Sequence, residues 1–249
     1  MKIINKMNYY NRLLEVANVA AKIPGIKKLL KPIYYPLKKY IWRKHNKNFK
    51  DNALNLIAEF TSTLDKNKIP YTIAFGTLLG GIREKGFIKR DLDIDIAMWH
   101  DERPDNLQDI LNQIGFKLSH TYSIEEGRLG LEETYIKNGV GIDIFYFYSA
   151  INKHPYCCDF LPINNLPTPS SSMKKYGKVL ARRIEMPMTR ERMIIDFENL
   201  KLPAPVNAHE LLAFRYGHDY MIPNPNWGIT SFNDYIVCWD EVNAIYVGD

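Results

Sequence analysis

The amino-acid sequence predicts a mixed α/β domain of the α+β class, preceded by a basic helical arm. The class follows from a helix-period apolar stripe over residues 51–66, a period-two alternation over 93–99, and the hairpin turn Asn138-Gly139. A chain of 249 residues with 46% hydrophobic side chains can bury a sizeable core. It contains no run of 18 or more apolar residues, so no membrane-spanning helix is predicted.

The remaining elements follow from local patterns. Helices are predicted over 51–66, 77–83 and 104–114, and a last helix is predicted between Asn207 and Gly217. Strands are predicted over 71–75, 93–99, 116–123, 128–137 and 140–148. Residues 152–206 contain seven prolines, which favours loops and short helices there.

Charge divides the chain into a basic arm, residues 1–50, and a mildly acidic domain, residues 51–249. The arm holds 13 Lys and Arg against one acid, a net charge of +12, whereas the domain carries a net charge of −7. Its cations are mixed with Tyr and Trp, a composition typical of an anionic membrane surface. Packing on the domain and nucleic-acid binding are the alternative interpretations.

The strand over 93–99 carries the first candidate site. Asp93 and Asp95 are two residues apart, so they share one face of the strand while Ile94 and Ile96 point to the core. Two neighbouring carboxylates repel unless a cation lies between them, and oxygen ligands suit Mg²⁺ or Mn²⁺. Asp91 extends the same face. A solvated acidic edge strand is the alternative.

Asp143 lies in one of the most apolar predicted strands, residues 140–148. A buried carboxylate is costly unless it is paired, hydrogen-bonded or bound to a metal. A hydrogen-bonded structural Asp is the alternative. If this strand neighbours the first, Asp143 completes a cluster of three metal ligands with Asp93 and Asp95.

A possible phosphate-binding segment precedes the acidic strand. Gly76 and Thr77 follow a short strand and begin a helix, which presents backbone N–H groups to an anion. Gly80 permits a close backbone approach. Four cations follow before the acids and suit phosphate oxygens, the alternative being ordinary solvated charge: Arg83, Lys85, Lys89 and Arg90.

Together these segments resemble the DNA polymerase β-type nucleotidyltransferase fold, and more narrowly the LicD/fukutin family. The matching strings are GTLLGGIREKGFIKRDLDIDI from residue 76, IDIFYFY from residue 142 and RYGHDYMIP from residue 215. The resemblance implies that residues 51–249 form a nucleotidyltransferase-like catalytic domain with a mixed β-sheet flanked by helices. Many bacterial members have Pro-Trp and an unbroken acid triplet, where this chain has Lys89-Arg90 and Leu92.

The resemblance also implies an activity. A divalent metal ion, Mg²⁺ or Mn²⁺, would support transfer of a phospho-alcohol such as phosphocholine or an alditol phosphate. The donor would be a CDP-activated alcohol, and the acceptor a hydroxyl of a cell-surface glycan of lipopolysaccharide, capsule or teichoic acid type. Asp93, Asp95 and Asp143 would hold the metal, and Asp91 or Asp95 would be the general base. The residues expected to bind the donor are Gly76, Thr77, Gly80, Arg83, Lys89 and Arg90.

Two other functions are compatible with these features of the sequence. A nucleotidyltransferase that moves an NMP from an NTP would need the same acids and would release pyrophosphate. A nucleic-acid-binding protein would use the basic arm, although we expect no nucleic acid as partner. We expect a cytoplasmic protein that binds peripherally to the inner face of the cytoplasmic membrane through residues 1–50.

Overall fold

The computed structural model of the chain describes residues 26–149, 154–224 and 236–248. Residues 1–25, which hold the first half of the basic arm, therefore lie outside the described residues. The helices are α1 (Ile26–Lys66), α2 (Phe75–Arg83), α3 (Leu107–Gln113), α4 (Pro169–Tyr176) and α5 (Ala208–Tyr216). The strands are β1 (Thr72–Ile73), β2 (Asp93–Trp99), β3 (Lys117–Ile124), β4 (Gly130–Lys137), β5 (Val140–Phe147), β6 (Tyr156–Leu161), β7 (Leu180–Glu185), β8 (Arg192–Phe197), β9 (Leu200–Pro205), β10 (Ile236–Cys238) and β11 (Ala244–Gly248).

A six-stranded sheet in the order β1-β2-β5-β4-β3-β11 organises the domain. β2 and β5 are parallel, and every other neighbouring pair in this sheet is antiparallel. β4 and β5 are joined by Asn138-Gly139, both with positive φ, as the two-residue hairpin turn requires. This mixed sheet with its helices confirms the predicted α+β class.

The two faces of the main sheet differ in chemistry. One face is apolar, and Ile94, Ile96, Ile142 and Ile144 are all fully buried there in the hydrophobic core. The opposite face carries the acidic side chains of β2 and β5, because residues two apart on a strand share a face. α2 crosses this acidic face, where the rings of Phe75 and Phe145 meet edge to face with centroids 4.6 Å apart.

The prediction of loops and short helices for residues 152–206 is confirmed for one short helix but missed four strands. This region holds α4 and four strands: β6 and β7 join β10 in a three-stranded sheet, and β8 pairs with β9. The prolines are accommodated at element boundaries and in a two-stranded ribbon. Pro203 and Pro205, for example, lie in β9, which pairs with β8 alone. Proline is tolerated on such an edge because its missing N–H is not needed for a second neighbour.

The helix predicted over 51–66 begins much earlier, at Ile26, and α1 therefore crosses the boundary between arm and domain without interruption. Asn46 is buried, and its Nδ2 donates to the Lys89 carbonyl at 3.0 Å. Phe49 packs edge to face on Phe87, with ring centroids 5.0 Å apart. The last part of the arm thus packs on the loop that precedes β2.

One face of α1 remains exposed. Residues spaced three and four apart lie on one side of a helix, and five exposed side chains with this spacing form a basic-aromatic stripe: Tyr35, Lys38, Lys39, Trp42 and Arg43. Over the described residues, no helix is long and apolar enough to cross a membrane.

Candidate active site

The acids that the sequence singled out lie together on the acidic face of the main sheet. Asp95 of β2 and Asp143 of β5 are direct partners across the parallel pair, and Asp93 lies two residues before Asp95 opposite Gly141. Asp93 is exposed, whereas Asp95 and Asp143 are half-buried. The structure therefore brings Asp93, Asp95 and Asp143 to one edge of two neighbouring strands, as the pattern predicted.

The start of α2 is fixed to Asp95. The backbone N–H of Gly76 donates to Asp95 Oδ2 at 2.8 Å, and the N–H of Thr77 approaches the same oxygen at 3.4 Å. In return the Asp95 N–H donates to Thr77 Oγ1 at 2.9 Å. These bonds satisfy N–H groups that a helix start leaves free. Thr77 is buried and its hydroxyl accepts from Asp95, so it does not line the cleft that opens beside the acids.

Carboxylates dominate the electrostatics of this site. Burial raises the pKa of Asp95 well above its usual range, and the charges of Asp93 and Asp143 raise it further. Burial also raises the pKa of Asp143 to about 6, against the opposing effect of a hydrogen bond from Thr134. The site therefore concentrates negative charge that a bound cation would neutralise.

A cleft of about 580 Å³ opens beside the acids, between α2 and the segment that follows α5. Asp91 and Gly76 line it on the acidic side. The Ile88 N–H donates to Asp91 Oδ2 at 3.0 Å, yet burial raises the pKa of Asp91 to about 7, and the Asp93 charge contributes. Asp91 thus faces the cleft with a carboxyl group that can exchange a proton near neutral pH.

Three of the predicted cations line the same cleft. Arg83 Nη1 donates to the Tyr220 carbonyl at 3.2 Å, and Arg83 Nη2 pairs with Glu84 at 2.7 Å. Lys89 and Arg90 are exposed at the rim. Gly80 is not part of the lining: it is buried, and an added Cβ would lie 2.3 Å from the Gly86 carbonyl oxygen. Gly80 therefore permits close packing of α2 on the following loop.

Sequence reasoning missed several residues around this site. Tyr216 and Tyr220 line the cleft together with Asp91. The string RYGHDYMIP, which contains both tyrosines, was the sequence signal that could have identified them. Glu132 of β4 is half-buried near the acids, and burial together with the Asp143 charge raises its pKa well above the usual range. Thr134 donates to Asp143 Oδ1 at 2.5 Å.

The acids fit a hard divalent cation by their chemistry. Their oxygen donors are those that Mg²⁺ and Mn²⁺ prefer, and the charges acting most strongly on Asp95 are those of other carboxylates. Among residues 26–149, 154–224 and 236–248, no three His, Cys, Asp or Glu side chains are already gathered as a metal-binding group. A cation held here would be bound by Asp93, Asp95 and Asp143.

Fold and site together define an α+β domain with an acidic cluster beside a cation-lined cleft. The family model described as LicD/FKTN/FKRP, nucleotidyltransferase domain, matches residues 68–207, which is more than half of the chain. The chain therefore belongs to the LicD/FKTN/FKRP family, and the resemblance seen in the sequence is confirmed. The matched region contains the acids and most of the cleft.

Curated relatives carry the names of two kinds of transferase. The mouse (Mus musculus) protein named ribitol-5-phosphate transferase FKTN is 26% identical over 211 residues, covering 80% of this chain and 41% of the relative. Its human (Homo sapiens) counterpart is 24% identical over 210 residues, with the same coverage. Lipopolysaccharide cholinephosphotransferase LicD of Haemophilus influenzae is 47% identical over 50 residues, 20% of this chain and 19% of the relative. This chain spans about two fifths of the length of the FKTN relatives.

Proposed function

We propose that this protein is a metal-dependent phosphotransferase that moves a phospho-alcohol from a CDP-activated donor to a glycan hydroxyl. The observation that carries the proposal is the direct pairing of Asp95 with Asp143 beside the cation-lined cleft, within the region matched by the family. The names of the relatives support a transferred group of the ribitol phosphate or phosphocholine kind.

The donor occupies the cleft in this proposal. The cleft volume of about 580 Å³ suits a nucleotide-sized ligand. Arg83, Lys89 and Arg90 supply positive charge for the diphosphate, while Tyr216 and Tyr220 offer rings to the remainder of the donor. Asp91 lines the cleft, and Gly76, another lining residue, donates to Asp95, so a diphosphate in the cleft would lie between the cations and the carboxylates.

Transfer requires in-line displacement at the phosphorus that bears the alcohol. A divalent cation, Mg²⁺ or Mn²⁺, would supply positive charge that offsets the negative charge of the diphosphate and of the departing CMP. Asp93, Asp95 and Asp143 would hold that ion, and the two arginines and the lysine at the cleft, Arg83, Arg90 and Lys89, stabilise the phosphoryl oxygens. The acceptor oxygen forms the new bond to phosphorus, the bond to CMP breaks, and the hydroxyl proton passes to a base.

Asp91 is the stronger candidate for that base. It lines the cleft, and burial raises its pKa to about 7, which suits proton transfer near neutral pH. Asp95, the alternative that the sequence allowed, uses Oδ2 to accept the N–H groups of the α2 start. Asp95 is therefore better suited to hold the metal.

A donor screen tests this function. The purified chain is incubated with CDP-choline or CDP-ribitol, with and without Mn²⁺, and CMP release is measured by chromatography, with water or added glycans as acceptor. We expect CMP release that needs Mn²⁺ and is abolished in Asp95→Asn, the control for contaminating activity. Pyrophosphate release from an NTP, with no turnover of either CDP-alcohol, would overturn the proposal in favour of an NMP transferase.

We further propose that the basic-aromatic stripe of α1 binds an anionic membrane surface. Lys38, Lys39 and Arg43 are exposed on one side of the helix, each cation near an anionic surface contributing about 1 kcal/mol. Tyr35 and Trp42 are 51% and 42% exposed on the same side, where amphipathic rings suit the headgroup region. Farther along the same helix, Asn46 and Phe49 are buried, and Asn46 donates to the Lys89 carbonyl, so the stripe precedes the part of α1 that packs on the domain.

Charge reversal of the stripe tests membrane binding. The variant Lys38→Glu/Lys39→Glu/Arg43→Glu is compared with Lys85→Glu/Lys174→Glu/Lys175→Glu, which changes the charge equally at exposed positions elsewhere. We expect the stripe variant to lose pelleting with phosphatidylglycerol vesicles at low salt, while the control keeps most of it. Equal loss in both variants, or salt-sensitive binding to RNA without binding to vesicles, would contradict the proposal.

A further inference from the structure

A polar row crosses four strands of the main sheet at the level of the candidate metal ligands. Asp95 of β2 pairs with Asp143 of β5, Asp143 pairs with Thr134 of β4, and Thr134 pairs with His120 of β3. β3 carries an irregularity between Leu118 and His120, which brings His120 into register with Thr134. The row therefore extends from the candidate site into the sheet.

Hydrogen bonds connect the inner part of this row. Thr134 Oγ1 donates to Asp143 Oδ1 at 2.5 Å, and His120 Nε2 lies 3.0 Å from the same hydroxyl. A threonine hydroxyl has a single proton, and here it goes to the carboxylate. His120 Nε2 must therefore carry a proton and donate to Thr134 Oγ1, because an unprotonated nitrogen would leave two acceptors facing each other.

The surroundings of His120 agree with this arrangement. The imidazole is half-buried, and burial lowers its pKa, which favours the neutral ring with a single N–H. Tyr122 and Tyr246 hold the ring in place through aromatic contacts, with centroids 5.4 and 5.6 Å from that of His120. The orientation of the ring is thus set by packing as well as by hydrogen bonding.

We infer that Thr134 and His120 are positioning residues that turn Asp143 toward the metal: Thr134 occupies Oδ1 and leaves Oδ2 as the ligand oxygen, and His120 fixes the Thr134 hydroxyl. The inference deepens the proposed function and depends on Asp143 being a ligand. Groups that orient metal ligands in this way typically change metal affinity by 10- to 100-fold when they are removed.

The test is Mn²⁺ titration followed by thermal melting, in the absence of donor. Thr134→Val removes the hydroxyl at nearly constant shape, and Thr134→Ser retains it. Thr72→Val is a matched control, because Thr72 is equally buried on β1 of the same sheet and its hydroxyl has no hydrogen-bond partner within the described residues. We expect Thr134→Val to weaken the apparent Mn²⁺ affinity about tenfold, and Thr134→Ser and Thr72→Val to change it less than threefold.

A second pair of variants keeps the inference testable if Thr134→Val does not fold. His120→Gln retains an N–H donor on a long side chain, and His120→Phe removes it while preserving the ring. We expect His120→Phe to weaken Mn²⁺ binding more than His120→Gln does. Mn²⁺ binding that is equal in the parent and in Thr134→Val, or equal in the two His120 variants, overturns the inference.

The outcomes separate this inference from the proposed function. If the parent releases CMP, and the parent and Thr134→Val bind Mn²⁺ equally tightly, the proposed function stands and the positioning role is overturned. A parent that neither responds to Mn²⁺ nor turns over a CDP-alcohol loses both.

Discussion

Asp95 and Asp143 are direct partners on the two parallel strands at the centre of the main sheet, so two carboxylates meet where a sheet ordinarily pairs apolar side chains. Like charges so close destabilise the fold unless one is protonated or a cation joins them. This relationship makes stability, metal binding and activity depend on the same residues.

Neutralising one acid should separate activity from stability. Asp143→Asn keeps an oxygen to accept the Thr134 hydroxyl and removes one negative charge beside Asp95. We expect donor turnover to fall on the order of a thousandfold or more, while the metal-free melting temperature holds or rises. Mn²⁺ should raise the melting temperature of the parent and have little effect on the variant. If Asp143 were only structural, the variant would be destabilised and Mn²⁺ would leave the melting temperature of the parent unchanged.

The raised pKa values predict how stability depends on pH. The pKa of Asp143 rises from its ordinary 3.8 to about 6 on folding, so between these values the folded state binds a proton that the unfolded state has lost. Metal-free stability therefore falls as pH rises through this window. The pKa of Asp91, about 7, extends the window upward.

Melting curves at pH 5 and pH 7.5 check this dependence. We expect the melting temperature of Asp143→Asn to fall less between pH 5 and pH 7.5 than that of the parent does, because one contribution to the loss of stability is removed. The Asp143 charge also raises the pKa of Asp95 and of Glu132, so its removal lowers both values and acts in the same direction as the loss of the Asp143 carboxyl itself. Identical pH dependence in the two proteins would contradict the burial of an ionisable Asp143.

The rim cations should govern donor affinity. Lys89→Ala/Arg90→Ala removes two charges that line the cleft, and we expect KM for the CDP-alcohol to rise about tenfold or more with a smaller change in kcat. Lys85→Ala is the control, because Lys85 is exposed on the same loop and does not line the cleft. Steady-state kinetics of the parent and the two variants measure KM and kcat. An equal rise of KM in Lys85→Ala would indicate a general charge effect and contradict the role of the rim cations.

Gly76 and Gly80, two of the three glycines of α2, should respond differently to alanine. At Gly76 an added Cβ would lie 3.1 Å from Asp95 Oδ2, so Gly76→Ala should fold and lose activity as Asp95 is displaced. At Gly80 the Cβ would lie 2.3 Å from a backbone oxygen, so Gly80→Ala should destabilise the fold by about 1–3 kcal/mol. Circular dichroism melts alongside turnover assays distinguish these effects, and the reverse ranking of the two variants would refute the assigned roles.

The acidic cluster was predictable because its signal is local. β2 has the predicted bounds, and the Asp-Ile-Asp-Ile alternation alone places Asp93 and Asp95 on one face. That Asp143 joins them depended on a second local pattern and on the family resemblance. Glu132 was not predictable, because Glu133 beside it is also acidic and lies on the opposite face in an ion pair with Arg103.

Long-range features account for what the sequence did not reveal. The pairing of His120 with Thr134 depends on an irregularity in β3 that no residue pattern announces. The strands of residues 156–205 were hidden by prolines that are harmless in a two-stranded ribbon. The true start of α1 was missed because its exposed basic side resembles a solvated arm.

The parallel pairing of β2 with β5 also constrains the order of folding. The contact between Asp95 and Asp143 closes a long loop that contains β3 and β4, and contacts between distant parts of a chain form late because loop closure costs entropy. A metal ion therefore finds its ligands together once the sheet is nearly complete, and it cannot template the early steps. Mn²⁺ should accordingly slow unfolding and leave the refolding rate almost unchanged.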